Sequence, residues 1–228
     1  MESSKKANPA GTSTNFFKDC AVRKFEKGEL VIRAGEPPNG IYYIASGLMK
    51  VNSINDSGEE YVHVIYRPGE SFPLLWALKK MRRNVFYEAI TPVELYFMPM
   101  EKFNKFFHSS PEFCKYILNQ TAEQFSIYVD RIENLEYRRA GERLAYRLLF
   151  LASRLAAKRK NSLVLPAALT QQLIADSINL TRETVSREIE KLEAKGILNY
   201  TRHRLIINDV DGLKKQISEP VSSDYWGL

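Results

Sequence analysis

A segment near the carboxyl terminus, residues 169–198, constrains the fold most, because it predicts two helices joined by a short turn. It reads LTQQLIADSINLTRETVSREIEKLEAKGIL. Thr170 and Thr181 each precede a helical pattern, and their hydroxyls can accept a backbone N–H that the first turn of a helix leaves unpaired. Each helix shows one packing face, formed by Leu173, Ile174 and Ser177 in the first and by Val185, Ile189 and Leu192 in the second. The segment therefore predicts a helix-turn-helix.

The opposite face of the second helix carries polar side chains that suit contact with base pairs. In the major groove an arginine can bond both O6 and N7 of guanine, a glutamate can accept from the cytosine amino group, and a hydroxyl can do either. The expected base-reading residues are Arg182, Glu183, Ser186 and Arg187. The residues expected to contact DNA phosphates are Thr170, Gln171, Thr181, Thr184, Arg202 and Arg204. The alternative interpretation is a solvated, ion-paired helix face.

The string LTRETVSR, residues 180–187, resembles the recognition helix of the cyclic-AMP receptor protein and FNR (CRP/FNR) family of bacterial transcription regulators. Within it, Glu183, Ser186 and Arg187 form the ExxSR pattern of the FNR branch, and Arg182 is present as in the cyclic-AMP branch. The resemblance implies half-sites like TTGA or TGTGA, of which the first is favoured. Asn179 stands where the family usually has glycine, and asparagine enters the left-handed region more readily than other non-glycine residues.

The residues after this motif add a predicted wing and a positive charge. Residues 196–208 have strand-like runs on both sides of TRHR, residues 201–204, and resemble the wing of a winged helix. Residues 137–228 contain 16 Lys and Arg against 10 Asp and Glu, whereas residues 1–136 contain 17 of each kind. The net charge of +6 therefore lies in the carboxyl-terminal part. Because phosphate contacts dominate non-specific affinity for DNA, this distribution favours a basic DNA-binding module joined to a neutral one.

The amino-terminal part, Val22 to Met100, shows short apolar and aromatic runs between turn residues, which predicts antiparallel strands in a small barrel or jelly roll. The glycines at 28, 35, 40, 47, 58 and 69 are expected at chain reversals with positive φ. The run from Lys27 to Glu70 is similar to the cyclic-nucleotide-binding domain. The resemblance implies an α+β chain with an amino-terminal β-barrel or jelly roll of that type, a long dimerisation helix and a carboxyl-terminal winged helix-turn-helix.

The stretch SFPLLWALKKMRRNVFYEA, residues 71–89, departs from the nucleotide-binding members of that family. Pro73 and Leu74 stand where those members have a Gly-Glu pair, and Arg83 and Asn84 stand at the Arg-Ser pair. Because proline has no N–H and leucine has no carboxylate, we expect a small-molecule effector of unknown identity, with cyclic AMP as the alternative. Its predicted pocket comprises Phe72, Leu74, Trp76, Arg83, Asn84, Phe86, Tyr87 and Tyr128. The alternative is that these rings fill the core.

Catalytic and metal-ligating patterns are not evident in the sequence. Cys20 and Cys114 lie far apart without CxxC or Cys–His spacing, which argues against a disulfide framework and against a zinc or iron–sulfur site, with a redox role as the alternative. His63, His108 and His203 show no HxH or HExxH spacing, so no metal site is predicted; a haem ligand at His63 is the alternative to a packed or surface histidine. The sequence offers no set of nucleophile, general base and orienting group, so we expect that the protein is not an enzyme.

Apolar residues at intervals of four and three mark the predicted helix at 111–136. They are Leu118, Ala122, Phe125, Val129 and Ile132. This spacing is typical of a coiled-coil seam, and a parallel homodimer would cover it. The alternative is a monomer that buries the stripe against its own barrel.

The expected domains are an effector domain at 16–110, a dimerisation helix at 111–136 and a winged helix-turn-helix domain at 137–218, between tails at 1–15 and 219–228. Within the last domain we place the helix-turn-helix at about 170–190 and the wing at about 196–208. A further helix from about Arg139 to Ala157 follows a pivot near residues 136–140.

The predicted function is a homodimeric, effector-controlled regulator bound to an inverted repeat in double-stranded promoter DNA, with RNA polymerase as a further candidate partner. The alternatives are an effector-independent architectural DNA-binding protein and a barrel enzyme with a DNA anchor. Nothing resembles a signal peptide, and no apolar run approaches the roughly 20 residues that span a bilayer. We therefore expect a cytoplasmic protein with no membrane partner.

Overall fold

The computed structural model describes residues 15–137 and 139–218, which divide into two compact units. The first unit contains the residues up to Ser53 together with Ile65–Ser126. The second contains Ile54–Val64 together with the residues from Ile127 onward. The predicted tails, residues 1–15 and 219–228, lie outside the described residues except for Asn15. Among the described helices, none combines the length and apolar character of a membrane span.

Eight strands form two four-stranded antiparallel sheets in the amino-terminal part. The strands are β1 (Ala21–Phe25), β2 (Leu30–Ile32), β3 (Gly40–Ser46), β4 (Met49–Ile54), β5 (Glu60–Tyr66), β6 (Ser71–Phe72), β7 (Phe86–Ala89) and β8 (Val93–Pro99). One sheet has the order β1-β8-β3-β6 and the other has the order β2-β7-β4-β5. The predicted jelly roll is confirmed, although the sheets stay separate and do not close into a barrel.

The glycines between these strands confirm most of the predicted reversals. Gly28, Gly35, Gly47, Gly58 and Gly69 all have positive φ. Gly40 does not, so the prediction is wrong there. It lies inside β3, where a Cβ would clash with the carbonyl oxygen of Met98 on β8. Glycine is therefore required at this position because two strands approach closely, not because the chain turns.

The core of the first unit packs helices against the β3–β8 side of the jelly roll. The helices are α1 (Leu74–Lys79), α2 (Met100–Ser109) and the first part of α3 (Pro111–Tyr137). The buried residues of this cluster are Phe17, Ile41, Tyr43, Leu74, Ala77, Met98, Phe103, Phe113 and Ile117. Phe16 meets the Phe113 ring edge-on at a centroid distance of 5.1 Å, and Phe17 stacks on Tyr43 at 4.9 Å. Aromatic packing therefore anchors the start of the long helix to the sheet.

The second unit combines four further helices with a small sheet. The helices are α4 (Ala140–Leu155), α5 (Gln171–Ser177), α6 (Arg182–Ala194) and α7 (Val210–Lys214). The strands are β9 (Ala157–Arg159), β10 (Ser162–Val164), β11 (Leu198–Thr201) and β12 (Arg204–Ile207), in the order β11-β12-β10-β9. The predicted helix near 139–157 is present as α4. The β9–β10 hairpin was not predicted from the sequence.

Candidate DNA-reading surface

Helices α5 and α6 begin at the two threonines that the sequence indicated. The hydroxyl of Thr170 accepts the backbone N–H of Leu173 at 3.1 Å, and the hydroxyl of Thr181 accepts that of Thr184 at 3.2 Å. Both predicted N-caps are confirmed. Asn179, between the helices, has φ +53°, so asparagine takes the left-handed conformation here without glycine. Local chemistry alone thus defines a helix-turn-helix with its second helix starting at Arg182.

One side of α6 is packed and the other is open. Val185, Ile189 and Leu192 are buried, as their spacing predicted. On the other side Arg182, Glu183 and Arg187 are exposed and Ser186 is half-buried. These four predicted base-reading residues occupy the first two turns of α6. An exposed polar face at the amino-terminal end of a rigidly packed helix is the arrangement that allows side chains to reach base edges.

The charges on this face are held by few contacts. Arg187 Nη2 lies 3.4 Å from the Thr184 hydroxyl, and the Ser186 hydroxyl lies 3.5 Å from a carboxylate oxygen of Glu190. A bond from its own backbone N–H, and a second from the Thr181 hydroxyl, lower the pKa of Glu183 below its ordinary value. Glu183 therefore stays ionised at neutral pH, as an acceptor for an amino group must.

Four of the residues predicted to contact phosphate lie at the starts of α5 and α6. Thr170 and Thr181, the N-caps of α5 and α6, are exposed. Gln171 in the first turn of α5 and Thr184 in the first turn of α6 are half-buried. The hydroxyl oxygens of Thr181 and Thr184 lie 3.0 Å apart. The Thr181 hydroxyl also bonds Glu183, so the Thr170 hydroxyl, whose oxygen caps α5, is the capping group whose hydrogen can be donated to an anion.

The wing is a tight hairpin. Thr201 pairs with Arg204 across the β11–β12 ladder, and the two residues between them, Arg202 and His203, have φ +50° and +60°. Two consecutive left-handed residues are the signature of a type I′ turn, which matches the twist of paired strands. Arg202 and Arg204 are both exposed. The turn and the first residue of β12 therefore expose two of the predicted phosphate-binding arginines at the end of the ladder.

A wide cleft of about 940 Å³ lies along the same sheet and adds cations that the sequence analysis missed. Arg159 and Lys160 of the β9–β10 hairpin line it together with Arg202 and Arg204 of the wing. Val164 and Ile206 contribute its apolar part. The signal for this hairpin is weak, because its strands have three residues each and Lys160 takes φ +48° without glycine.

The predicted effector residues differ in their burial and in their neighbours. Phe72 is buried and stacks on Tyr42 at 5.3 Å and on Tyr87 at 5.1 Å. Leu74 belongs to the separate cluster beneath α2 and α3, and Trp76 packs against that cluster. Arg83 and Phe86 are half-buried and Asn84 is exposed, while Tyr128 belongs to the second unit. The stacked rings favour the interpretation as core, and the pocket at these residues stays a prediction.

A separate cleft of about 340 Å³ opens beside this ring stack in the first unit. Arg23 on β1 lies over the Phe97 ring at 3.8 Å and donates from Nη1 to the Tyr42 hydroxyl at 3.0 Å. Both rings line the cleft, together with Arg23, Glu36 and neighbouring loop residues. A guanidinium held flat on aromatic rings is a suitable contact for an anionic or planar group.

The two cysteines lie outside the helix-turn-helix and the wing, whereas His203 forms part of the wing turn. Cys20 and Cys114 are both free thiols. Burial raises the pKa of Cys20 despite the nearby Lys102, and the Cys114 thiol donates to the Phe107 carbonyl at 2.8 Å. A raised pKa lowers the thiolate fraction, which makes Cys20 less reactive. Within residues 15–137 and 139–218, no three His, Cys, Asp or Glu side chains are grouped as metal ligands.

The predicted seam residues all lie on α3 and are exposed. The exposed fractions of the four large side chains are 67% for Leu118, 69% for Phe125, 37% for Val129 and 54% for Ile132. Ala122 is exposed as well. Large apolar side chains are seldom left this open in a row on one helix, so this surface suits a partner.

Comparisons with known proteins agree with this architecture. The cyclic nucleotide-binding domain model matches residues 22–110, and the Crp-like helix-turn-helix domain model matches residues 142–216. The global nitrogen regulator of Synechococcus elongatus is 28% identical over 199 residues, which cover 86% of this chain and 90% of that protein. The cAMP-activated global transcriptional regulator CRP of Haemophilus influenzae is 24% identical, over 84% of this chain and 86% of that protein. The solved structure of FixK2 from Bradyrhizobium japonicum superposes with a TM-score of 0.78 at 21% identity, over 89% of this chain and 99% of FixK2.

Proposed function

The chain belongs to the CRP/FNR family of DNA-binding transcriptional regulators, and from this premise we propose that it acts as a homodimer that reads an inverted repeat in promoter DNA. The observation that carries the proposal is the open polar face on the first two turns of α6, beside a basic wing. Regulators of this family are not enzymes, and they bind promoter DNA, typically as dimers. For this chain, what we propose beyond the family is its base-reading specificity, its homodimer, its effector and any contact with RNA polymerase.

The base contacts proposed for each half-site follow from side-chain chemistry. Arg187 donates to O6 and N7 of a guanine, and Glu183 accepts from the amino group of a cytosine. Ser186 contributes a hydroxyl beside them, and Arg182 contacts either a base or the backbone at the edge of the site. A TTGA-like half-site contains the guanine and, on the complementary strand, the cytosine that these roles need. Thr170, Gln171, Thr181, Thr184 and the wing arginines would hold the phosphates on both sides.

The proposed homodimer forms through α3. Two copies of its exposed apolar stripe would cover each other in a parallel pair, as a repeat of four and three residues allows. A two-fold axis along this pair would place two copies of α6 about 34 Å apart, which is one turn of DNA. The operator is therefore expected to be an inverted repeat whose half-site centres are about 10 base pairs apart.

The proposed effector binds in the first unit and is not cyclic AMP. Pro73 and Leu74 are both buried. Pro73 has no backbone N–H to donate to a nucleotide, and Leu74 has no carboxylate to accept from a ribose hydroxyl. The cleft beside Arg23 offers a guanidinium on a ring platform to a small molecule instead. For such a ligand to act as a regulator, it must bind one arrangement of the dimer more tightly than the other. We place the pivot between those arrangements near residues 136–140, where α3 ends and α4 begins.

Selection of binding sequences from a random duplex library, followed by fluorescence anisotropy, tests the proposed function. An inverted TTGA-like repeat should emerge, and a scrambled duplex of equal length should bind at least about a thousandfold more weakly. The binding is then repeated with a panel of metabolites that includes cyclic AMP. Equal affinity for selected and scrambled duplexes would make the protein an architectural binder. If the protein binds the operator tightly and no metabolite alters the affinity, the proposed effector is contradicted, whereas the proposed DNA reading is not.

A further inference from the structure

Two arginines lie inside the second unit, next to the turn of the helix-turn-helix. Arg131, on the last part of α3, donates from Nη1 to the backbone carbonyl oxygens of Val62 and Ser177, the latter at 2.8 Å. Its Nη2 lies 3.5 Å from Oδ1 of Asn179. Arg147, on α4, is 6% exposed and donates from Nε to the Ser177 hydroxyl at 2.9 Å. Ser177, the last residue of α5, is therefore bound by one arginine through its backbone and by the other through its side chain.

Burying these guanidinium groups is unfavourable by itself. Burial lowers the pKa of Arg131 to about 10 and that of Arg147 to about 9, so both stay protonated at neutral pH. Asp130, which is 8% exposed, lines the same small cavity as both arginines. Apolar residues of equal volume at such positions often give equal or higher stability. The geometry that the arginines impose is therefore a better reason for their presence than stability.

Arg131 joins three segments that are far apart in the chain. Val62 belongs to the hairpin Ile54–Val64, 69 residues before Arg131, and Ser177 lies 46 residues after it. The guanidinium is planar, and its donors point in fixed directions. Bonds to carbonyls of two segments therefore restrict both the distance and the angle between them. Asn179, with its left-handed backbone, extends this contact into the turn that sets the angle of α6.

We propose that Arg131 is a positioning residue for DNA reading, which fixes the orientation of α5 and α6 against α3 and the hairpin Ile54–Val64 without touching DNA. The inference rests on the proposed function, because it concerns how α6 is presented to base pairs. Base contacts need each side chain placed to within a fraction of an ångström, whereas phosphate contacts tolerate small rotations. Loosening Arg131 should thus reduce sequence-specific binding and spare non-specific binding.

The experiment compares Arg131→Met and Arg131→Lys with the wild-type dimer on the selected operator and on a random duplex. Arg131→Met should lower operator affinity about tenfold and random-duplex affinity by less than about twofold. Arg131→Lys keeps a positive charge of similar reach but loses the planar guanidinium. Its operator affinity should therefore lie between that of the wild type and that of Arg131→Met. Arg33→Met serves as the matched control, because it removes an exposed arginine of the first unit and should change neither affinity.

The ratio of operator to random-duplex affinity separates positioning from a merely structural role. Partial unfolding lowers the active fraction for both duplexes equally, so it leaves the ratio unchanged. Hydrogen exchange adds a second measurement, and amides of residues 177–181 should exchange faster in Arg131→Lys than in the wild type. If Arg131→Met does not fold, Arg131→Lys decides the question. A ratio within about twofold of wild type in the folded variants overturns the inference, whereas a wild type without any preferred duplex contradicts the proposed function instead.

Discussion

Arg187 is the side chain of the reading surface whose role can be tested most directly. It is exposed on the second turn of α6, and its Nη2 lies at the long distance of 3.4 Å from the Thr184 hydroxyl. Few bonds must be broken before its guanidinium can contact a guanine, which lowers the desolvation cost of that contact. Its contribution to specificity should therefore be visible in a single substitution.

Arg187→Ala should weaken operator binding by about 1–3 kcal/mol and relax the preference at one guanine. Arg202→Ala, in the wing turn, should instead weaken binding to all sequences and reduce the slope of log K against log salt by about one. Fluorescence anisotropy over a salt series, with operators altered at single positions, measures both effects. Lys191→Ala is the control, because Lys191 lies on the same helix and is bonded to Glu188 at 2.7 Å. Equal losses on operator and random DNA for Arg187→Ala would contradict its proposed role.

At the scale of elements, the start of α6 depends on the residue that precedes it, the N-cap Thr181. Thr181 satisfies the N–H of Thr184, one of the donors that the first turn leaves without a helical partner. Its hydroxyl also contributes to the lowered pKa of Glu183. One side chain thus stabilises the start of the helix and the charge of a proposed base-reading residue.

Thr181→Ala should lower the free energy of unfolding by about 1 kcal/mol, because the capping bond is lost. Ser186→Ala is the matched control on the same helix, since it removes a half-buried hydroxyl that does not cap and should leave stability nearly unchanged. Chemical denaturation followed by circular dichroism measures both variants. A loss for Ser186→Ala as large as that for Thr181→Ala would contradict the assignment of the cap.

Elements with strong local signals were predictable from the sequence, and elements held by distant contacts were not. The caps at Thr170 and Thr181 and the apolar face of α6 depend on neighbouring residues, so their pattern is visible in the chain. The β9–β10 hairpin consists of two three-residue strands, too short for periodicity. Phe72 illustrates a second limit, because an aromatic residue in a sheet can line a pocket or stack on other rings, and only its neighbours decide. The contacts of Arg131 with Val62 and Ser177 leave no local pattern at all.

At the scale of the whole molecule, the exposed stripe on α3 favours a pair of chains. Phe125 exposes 69% of its surface and Leu118 exposes 67%, so within one chain most of each side chain stays in contact with water. Covering such side chains stabilises an assembly by about 25 cal/mol per Å² of apolar surface. The dimer and the two-fold operator are thus two consequences of one proposed helix pairing.

Phe125→Glu should convert the dimer to monomer, because pairing would place two carboxylates in an apolar seam. Operator affinity should fall steeply as the second half-site is lost, while a single half-site should bind as weakly as it does to the wild type. Analytical ultracentrifugation measures the mass, and anisotropy measures the affinity. Asn119→Glu, an exposed position on the same helix, is the control and should remain dimeric. A dimeric Phe125→Glu variant would place the interface elsewhere.

The division of the chain at the hairpin Ile54–Val64 also affects the order in which the protein is completed during synthesis. The second unit takes its residues from two separated stretches, and Arg131 follows its hydrogen-bond partner Val62 by 69 positions. On the ribosome the hairpin is therefore translated well before the helix that binds it, and Ser177 emerges later still. The contacts that Arg131 makes in the second unit cannot all form until Ser177 has been translated, so the hairpin stays without these partners while the intervening residues are made.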